Sequence, residues 1–264
     1  MFVRWLAVAV LLVPLAAPAA APAADPAATP AADWGHCLRE SWPEQSLSAL
    51  LTLTHFDRVG DERASRAFLE WSRVDGGSSL RIEVTEPDDL RGTVLTLSEQ
   101  SGEFTDIWIR LPDVEGDRRL TGRRLRTPLL GSDLTLEDLR RLAEVVRAPE
   151  ESTVEGTPLD GRSTWRVAIR PGPETASPYD SIVSQVDRET CVPLRTELSR
   201  SDRVRKVVGV DLAWIEAVGG HFVPRRWRID DLDDGSHTRL TLDLLRVDEG
   251  ARGARTARAH PGDE

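Results

Sequence analysis

The chain has 264 residues and a formal net charge of −10, from 34 basic and 44 acidic residues. Such an acidic balance excludes an electrostatic partnership with nucleic acid, which needs a basic face. Lys206 is the only lysine and asparagine is absent, so the cationic side chains are otherwise all arginine.

Residues 1–23 read as a targeting segment, with Arg4 at the positive end, an apolar stretch over 5–15, and Ala21-Pro22-Ala23 as a small-residue cleavage site. The apolar stretch falls short of the roughly 20 residues that cross a bilayer. There is no twin arginine, and no cysteine at the cleavage point. These features predict a signal peptide over 1–23, a Pro/Ala linker over 24–32, a folded domain over 33–249 and a disordered tail over 250–264. The expected route is export to an oxidising compartment; an uncleaved N-terminal anchor is the alternative. In an exported chain, Cys37 and Cys191 read most simply as one disulfide closing a long loop, with two free thiols as the other reading.

In chain order, the stretch before Pro43 suggests a short helix over 34–42. Residues 46–59 alternate, with Leu47, Ala49, Leu51 and Leu53 on one face. Residues 63–75 answer them with Phe68 and Trp71, and Asp75-Gly76-Gly77 supplies a tight turn. Leu80, Ile82 and Val84 continue the habit, followed by strands over 94–97, 104–111 and 118–124. Thr135 and Asp138 then form a reciprocal cap for an amphipathic helix. Its expected apolar stripe is Leu136, Leu139, Leu142 and Val146, with Arg140, Arg141 and Glu144 facing water. Strands follow over 152–158, 163–170, 182–187, 194–198, 204–210, 222–229 and 240–247. One amphipathic helix among so many strands must lie on a sheet face.

Catalytic motifs are missing. The sequence has no G-x-S-x-G elbow, G-x-G-x-x-G, P-loop or H-E-x-x-H, and its five histidines share no metal-ligand spacing. The acidic run Asp230-Asp231-x-Asp233-Asp234 before Gly235 reads as a solvated hairpin tip rather than a calcium loop, and Ser132-Asp133 as the approach to the helix. No catalytic residue, metal or cofactor is expected, and the protein is not expected to be an enzyme.

A set of short motifs is more specific. Glu86-Pro87-x-x-Leu90-Arg91-Gly92-Thr93 leads to Ile107-Trp108-Ile109-Arg110-Leu111-Pro112 and then Arg118-Arg119-Leu120-Thr121-Gly122. Next come Leu130-Gly131-Ser132-Asp133-Leu134-Thr135-x-Glu137-Asp138 and, downstream, Val186-Asp187-Arg188-Glu189-Thr190-Cys191-Val192-Pro193-Leu194-Arg195. In this order they resemble the exported outer-membrane lipoprotein-sorting proteins of the LolA-like superfamily, over residues 37–247. The resemblance implies a mainly β fold: an incomplete, strongly curved antiparallel β-barrel of about ten to eleven strands, with one or more helices packed in its concave mouth. It also implies a periplasmic carrier that holds lipid, or the acyl chains of a lipoprotein, for transfer between envelope membranes. The alternative is a sensor or accessory module that acts with a membrane protein or a lipid-exporting transporter.

In that frame Trp71, Leu80, Ile82, Leu95, Leu97 and Trp108 are the expected groove residues, although alternation does not say which face is concave. Leu129, Leu130, Leu134, Leu136 and Leu139 are the expected lid, and Arg91 and Arg110 the headgroup contacts. The expected partners are a lipid or lipidated protein and an inner-membrane transporter, with the protein itself a monomer.

Overall fold

The alternating runs of the first half form five consecutive antiparallel strands: β1 (Ser46–Phe56), β2 (Glu62–Val74), β3 (Gly77–Glu86), β4 (Val94–Gln100) and β5 (Glu103–Arg110). A computed structural model describes residues 37, 43, 45–74, 77–100, 103–146, 153–172 and 177–247, all within a compact unit spanning Ala31–Glu264. The expectations for 1–32 and for the tail fall outside the described residues, as does the helix over 34–42 apart from Cys37, which is helical.

After β5 come β6 (Arg118–Arg119), two 3-10 turns (Gly122–Arg126 and Leu129–Gly131) and helix α1 (Leu136–Val146). The second half holds β7 (Thr153–Leu159), β8 (Arg162–Ile169), β9 (Ser181–Asp187), β10 (Pro193–Arg200) and β11 (Arg203–Val210). A 3-10 turn (Leu212–Trp214) leads into β12 (Ile215–Val218), β13 (His221–Pro224), β14 (Arg226–Asp231) and β15 (Ser236–Val247). Thirteen strands make one open sheet in the order β6-β5-β4-β3-β2-β1-β15-β14-β11-β10-β9-β8-β7, and β12 and β13 pair separately. The described residues thus hold fifteen strands rather than ten or eleven. Residues 222–229 do not run through as one strand but divide at Arg225 into β13 and β14.

One face of the sheet is apolar, as the period-two pattern requires. Leu47, Trp71, Leu80, Leu97 and Ile107 stand in register across β1 to β5, and Ala49, Leu69, Ile82, Leu95 and Ile109 form the next row. That face is concave. In a flat sheet, nine steps of about 4.8 Å would part β5 from β9 by about 43 Å. Helix α1 has 11 residues, hence a length of about 16 Å, yet it contacts both strands. The sheet therefore curls around it.

This enclosure corrects the single-stripe reading of α1. Leu136, Leu139 and Leu142 do pack on the first half of the sheet. Val145 is also buried, against Tyr179, Ile182 and Leu198 of the second half. Arg141, expected in water, is 1% exposed and pairs with Glu137 at 2.8 Å and with Glu144 at 2.5 Å. Burial pushes the Glu144 carboxyl above its ordinary range, against the pull of Arg141. The side chain of Val146 lies outside the described set.

Cys37 and Cys191 are joined by a disulfide, with Cα atoms 5.4 Å apart and a sequence separation of 154. Cys37 packs on Trp165, Val167 and Val186, which ties the start of the domain to the second half of the sheet.

Candidate ligand-binding site

Between β6 and α1 the chain crosses the concave face with only two short 3-10 turns, so most of its backbone groups need other partners. The Leu129 N–H donates to the Leu134 carbonyl at 2.7 Å, and Pro128 bridges Thr135. The Ser132 hydroxyl donates to the Leu129 carbonyl at 2.7 Å, inside the loop. Leu130 sits in the left-handed region (φ 52°) next to Gly131 (φ 75°). For a leucine that conformation costs about 1–2 kcal/mol, so the surroundings must hold it. One such hold is the Ser65 hydroxyl, which donates to the Leu130 carbonyl at 3.1 Å.

The main hold is a buried polar cluster around Asp133 and Asp138. The Asp133 carboxylate accepts from Ser236 at 2.5 Å and Thr238 at 2.6 Å, and lies 3.0 Å from His55 Nδ1. Lys206 Nζ donates to the Asp133 carbonyl at 2.5 Å and to Asp138 at 3.0 Å. Asp138 also accepts from the Tyr179 hydroxyl at 2.7 Å and from the Thr135 N–H at 2.9 Å, while its own N–H donates to Thr135 Oγ1 at 3.0 Å. The expected cap is present, but Asp138 does more than cap. Burial and the neighbouring Asp138 charge hold the Tyr179 phenol far above its ordinary pKa, so it stays a donor. β1, β11, β15 and the segment before β9 thus all grip the crossing segment.

Beneath that segment lies a partly open, largely apolar cavity of about 350 Å³, toward the small end of the roughly 300–1,000 Å³ usual for ligand pockets. The sheet side contributes Leu90, Thr93, Leu95, Ile109, Leu111 and Leu120. The crossing segment contributes Thr127, Pro128, Leu129, Leu130, Gly131 and Leu136, and among the described residues Arg124 is the only charged one in the lining. Among the described residues no group of His, Cys, Asp and Glu is placed to hold a metal.

The structure brings only part of the expected set to this cavity. Leu95, Leu129, Leu130 and Leu136 line it. Trp71, Leu80, Ile82 and Leu97 share the concave face but pack within the core, Trp71 against Leu47, Val223 and Val247. Leu134 is buried in the core and Leu139 partly so. Trp108 is a correction. It alternates with Ile107 and Ile109, pairs with Thr96 and Arg119, and is 37% exposed on the convex face. Arg91 and Arg110 also lie off the cavity, ion-paired with Asp88 and with Asp117 respectively. The basic lining residue is instead Arg124, in a turn that carries no alternation to reveal it.

A family model described as "Uncharacterized protein", of the "-like" kind, matches residues 76–253, about two thirds of the chain. No curated protein matches. Among solved structures, a DUF1329 family protein from Desulfovibrio piger is 21% identical, with a TM-score of 0.73 over 83% of this chain and 92% of that one. A domain from Vibrio parahaemolyticus, described as an outer membrane lipoprotein-sorting protein, is 18% identical at a TM-score of 0.68, over 83% and 94%. A LolA superfamily protein from Nitrosomonas europaea is 18% identical at 0.63, over the same shares. The open antiparallel sheet is therefore the fold of these proteins, and the chain belongs to the "Uncharacterized protein"-like family whose model spans residues 76–253, with a LolA-like fold.

Proposed function

We propose that the protein is a non-enzymatic, exported carrier that binds lipid, or the acyl chains of a lipidated protein, between the curled sheet and the segment over 127–136. The observation that carries the reading is the apolar cavity of about 350 Å³ left between Leu95 and Ile109 on one side and Leu129, Leu130 and Leu136 on the other. Each methylene moved there from water gains about 0.8 kcal/mol, so an acyl chain needs little more than a dry wall. The Cys37–Cys191 disulfide suits an oxidising compartment such as the periplasm. The likeness to a lipoprotein-sorting domain supports the same role. In this reading residues 1–23 are the signal peptide, and the cargo passes between envelope membranes.

The test is native mass spectrometry of the mature protein, purified gently from an envelope fraction, followed by lipid extraction. A bound lipid or acylated protein is expected. Protein that emerges ligand-free and fails to take up a fluorescent fatty acid after delipidation would overturn the reading.

A further inference from the structure

The cavity has a charged rim that its apolar walls do not explain. Residues 118–132 contain five arginines, at 118, 119, 123, 124 and 126, and no acidic residue, in a chain whose net charge is −10. Arg119 is committed elsewhere: it pairs with Trp108 on the convex face and bonds Asp106 at 2.6 Å. Arg118 is opposite Ile109, so it extends the concave-face row of Ile82, Leu95 and Ile109. Arg124 is itself part of the cavity wall, and Arg123 adjoins it in the same 3-10 turn. Among the described residues, Arg118, Arg123 and Arg124 make no ion pair, and all are exposed. Of the acids nearest in sequence, Asp117 is held by Arg110. Asp113 and Glu115 lie in the turn before β6 and do not line the cavity.

An apolar pocket with guanidinium groups at its edge matches one class of molecule. Resting on the carrier reading, we infer that the cargo is an anionic amphiphile. Its hydrocarbon lies against Leu95, Ile109 and Leu120, and its phosphate or carboxylate is held by Arg118 and Arg124, with Arg123 adding charge. Guanidinium suits this task because its fork of donors matches the paired oxygens of either headgroup. A neutral head with no phosphate or carboxylate would bury the same tail but forgo the charge-assisted bonds.

The experiment titrates delipidated mature protein with lysophosphatidylglycerol, palmitate and the neutral alcohol hexadecanol, all of matched chain length, followed by tryptophan fluorescence. The expected result is that one or both anionic ligands bind about tenfold tighter than hexadecanol, the order that one charge-assisted hydrogen bond supplies. Preference for the glycerol lipid over palmitate assigns a phosphate headgroup; the reverse assigns a carboxylate. The double variant Arg118→Gln/Arg124→Gln should abolish the preference, bringing the anionic ligands down to the affinity of hexadecanol. Arg166→Gln/Arg195→Gln, which removes equal charge from another part of the sheet, should retain it. Equal binding of all three ligands by the native protein would overturn this inference and leave the carrier reading intact. Failure of all three to bind would remove the carrier reading itself. Thermal melting of each variant establishes that a lost preference is not lost fold.

Discussion

Lys206, the only lysine of the chain, bonds a carboxylate oxygen of Asp138 at 3.0 Å and also the Asp133 carbonyl, so a single ammonium joins β11 to both ends of the loop that enters α1. The side chain of Asp138 is 1% exposed, so its charge has little water to fall back on.

Lys206→Met should therefore be among the most damaging single changes. Breaking a buried pair from one side typically costs about 3–5 kcal/mol, because the remaining charge is stranded. Chemical denaturation of native and variant protein measures it. A loss below about 1 kcal/mol would mean that Tyr179 and Thr135 satisfy Asp138 unaided.

Asp133→Ala removes the acceptor for Ser236 and Thr238 and the contact with His55. The expected effect is local: faster amide hydrogen exchange over residues 129–146, with β3 and β4 unchanged. Uniform acceleration across the sheet would show that the cluster stabilises the whole fold rather than the crossing segment.

Leu120→Trp should fill the cavity from its sheet side, where space already exists, at little cost in stability. Uptake of a fluorescent fatty acid should fall several-fold while the melting temperature holds. Undiminished uptake would place the ligand elsewhere.

The Cys37–Cys191 bridge closes a loop of 154 residues. Chain-entropy arguments give such a closure about 5 kcal/mol, less whatever structure the reduced chain retains. Reduction, or Cys37→Ser with Cys191→Ser, should lower stability by several kcal/mol. Thiol titration of the unreduced, denatured protein should find no free thiol.

Acid sensitivity should centre on Asp187, which anchors the turn carrying Cys191. Burial alone would raise its carboxyl, but bonds from Arg162 and Thr190 and the Arg162 charge outweigh that, leaving it below the ordinary range. The unfolded chain then takes up the proton first as pH falls. The contribution is complete above the ordinary aspartate value of about 3.9 and is lost as pH drops through the lower folded value. Asp187→Asn should therefore be less stable at pH 7 and lose less on acidification to pH 3. Parallel stability curves for the two proteins would refute this.

Much of the fold was legible because its signals are local. Alternation fixed one face of β1 to β4, and the Thr135–Asp138 pair marked the start of α1. What escaped were features that only the curl of the sheet creates. Arg141 looks solvated on a helical wheel, and is buried because β5 and β9 both reach the helix. Asp133 reads as a residue before a cap, since nothing near it in sequence announces Ser236, Thr238 or Lys206. Trp108 shows a different failure: it was expected in the groove, whereas the period of two, kept by Ile107 and Ile109, puts it outside. The site was half legible for the same reason. Leucines of the crossing segment stood out by composition, but Arg124 lies in a turn with no period to read.

The seam between β1 and β15, where Leu51 faces Leu242 and Leu53 faces Leu240, has a consequence for biogenesis. The strand made first ends up in the middle of the sheet and waits for the one made last. Until synthesis is nearly complete, β1 offers a bare leucine-rich border to any neighbour, so the newborn chain needs shielding until β15 has been made.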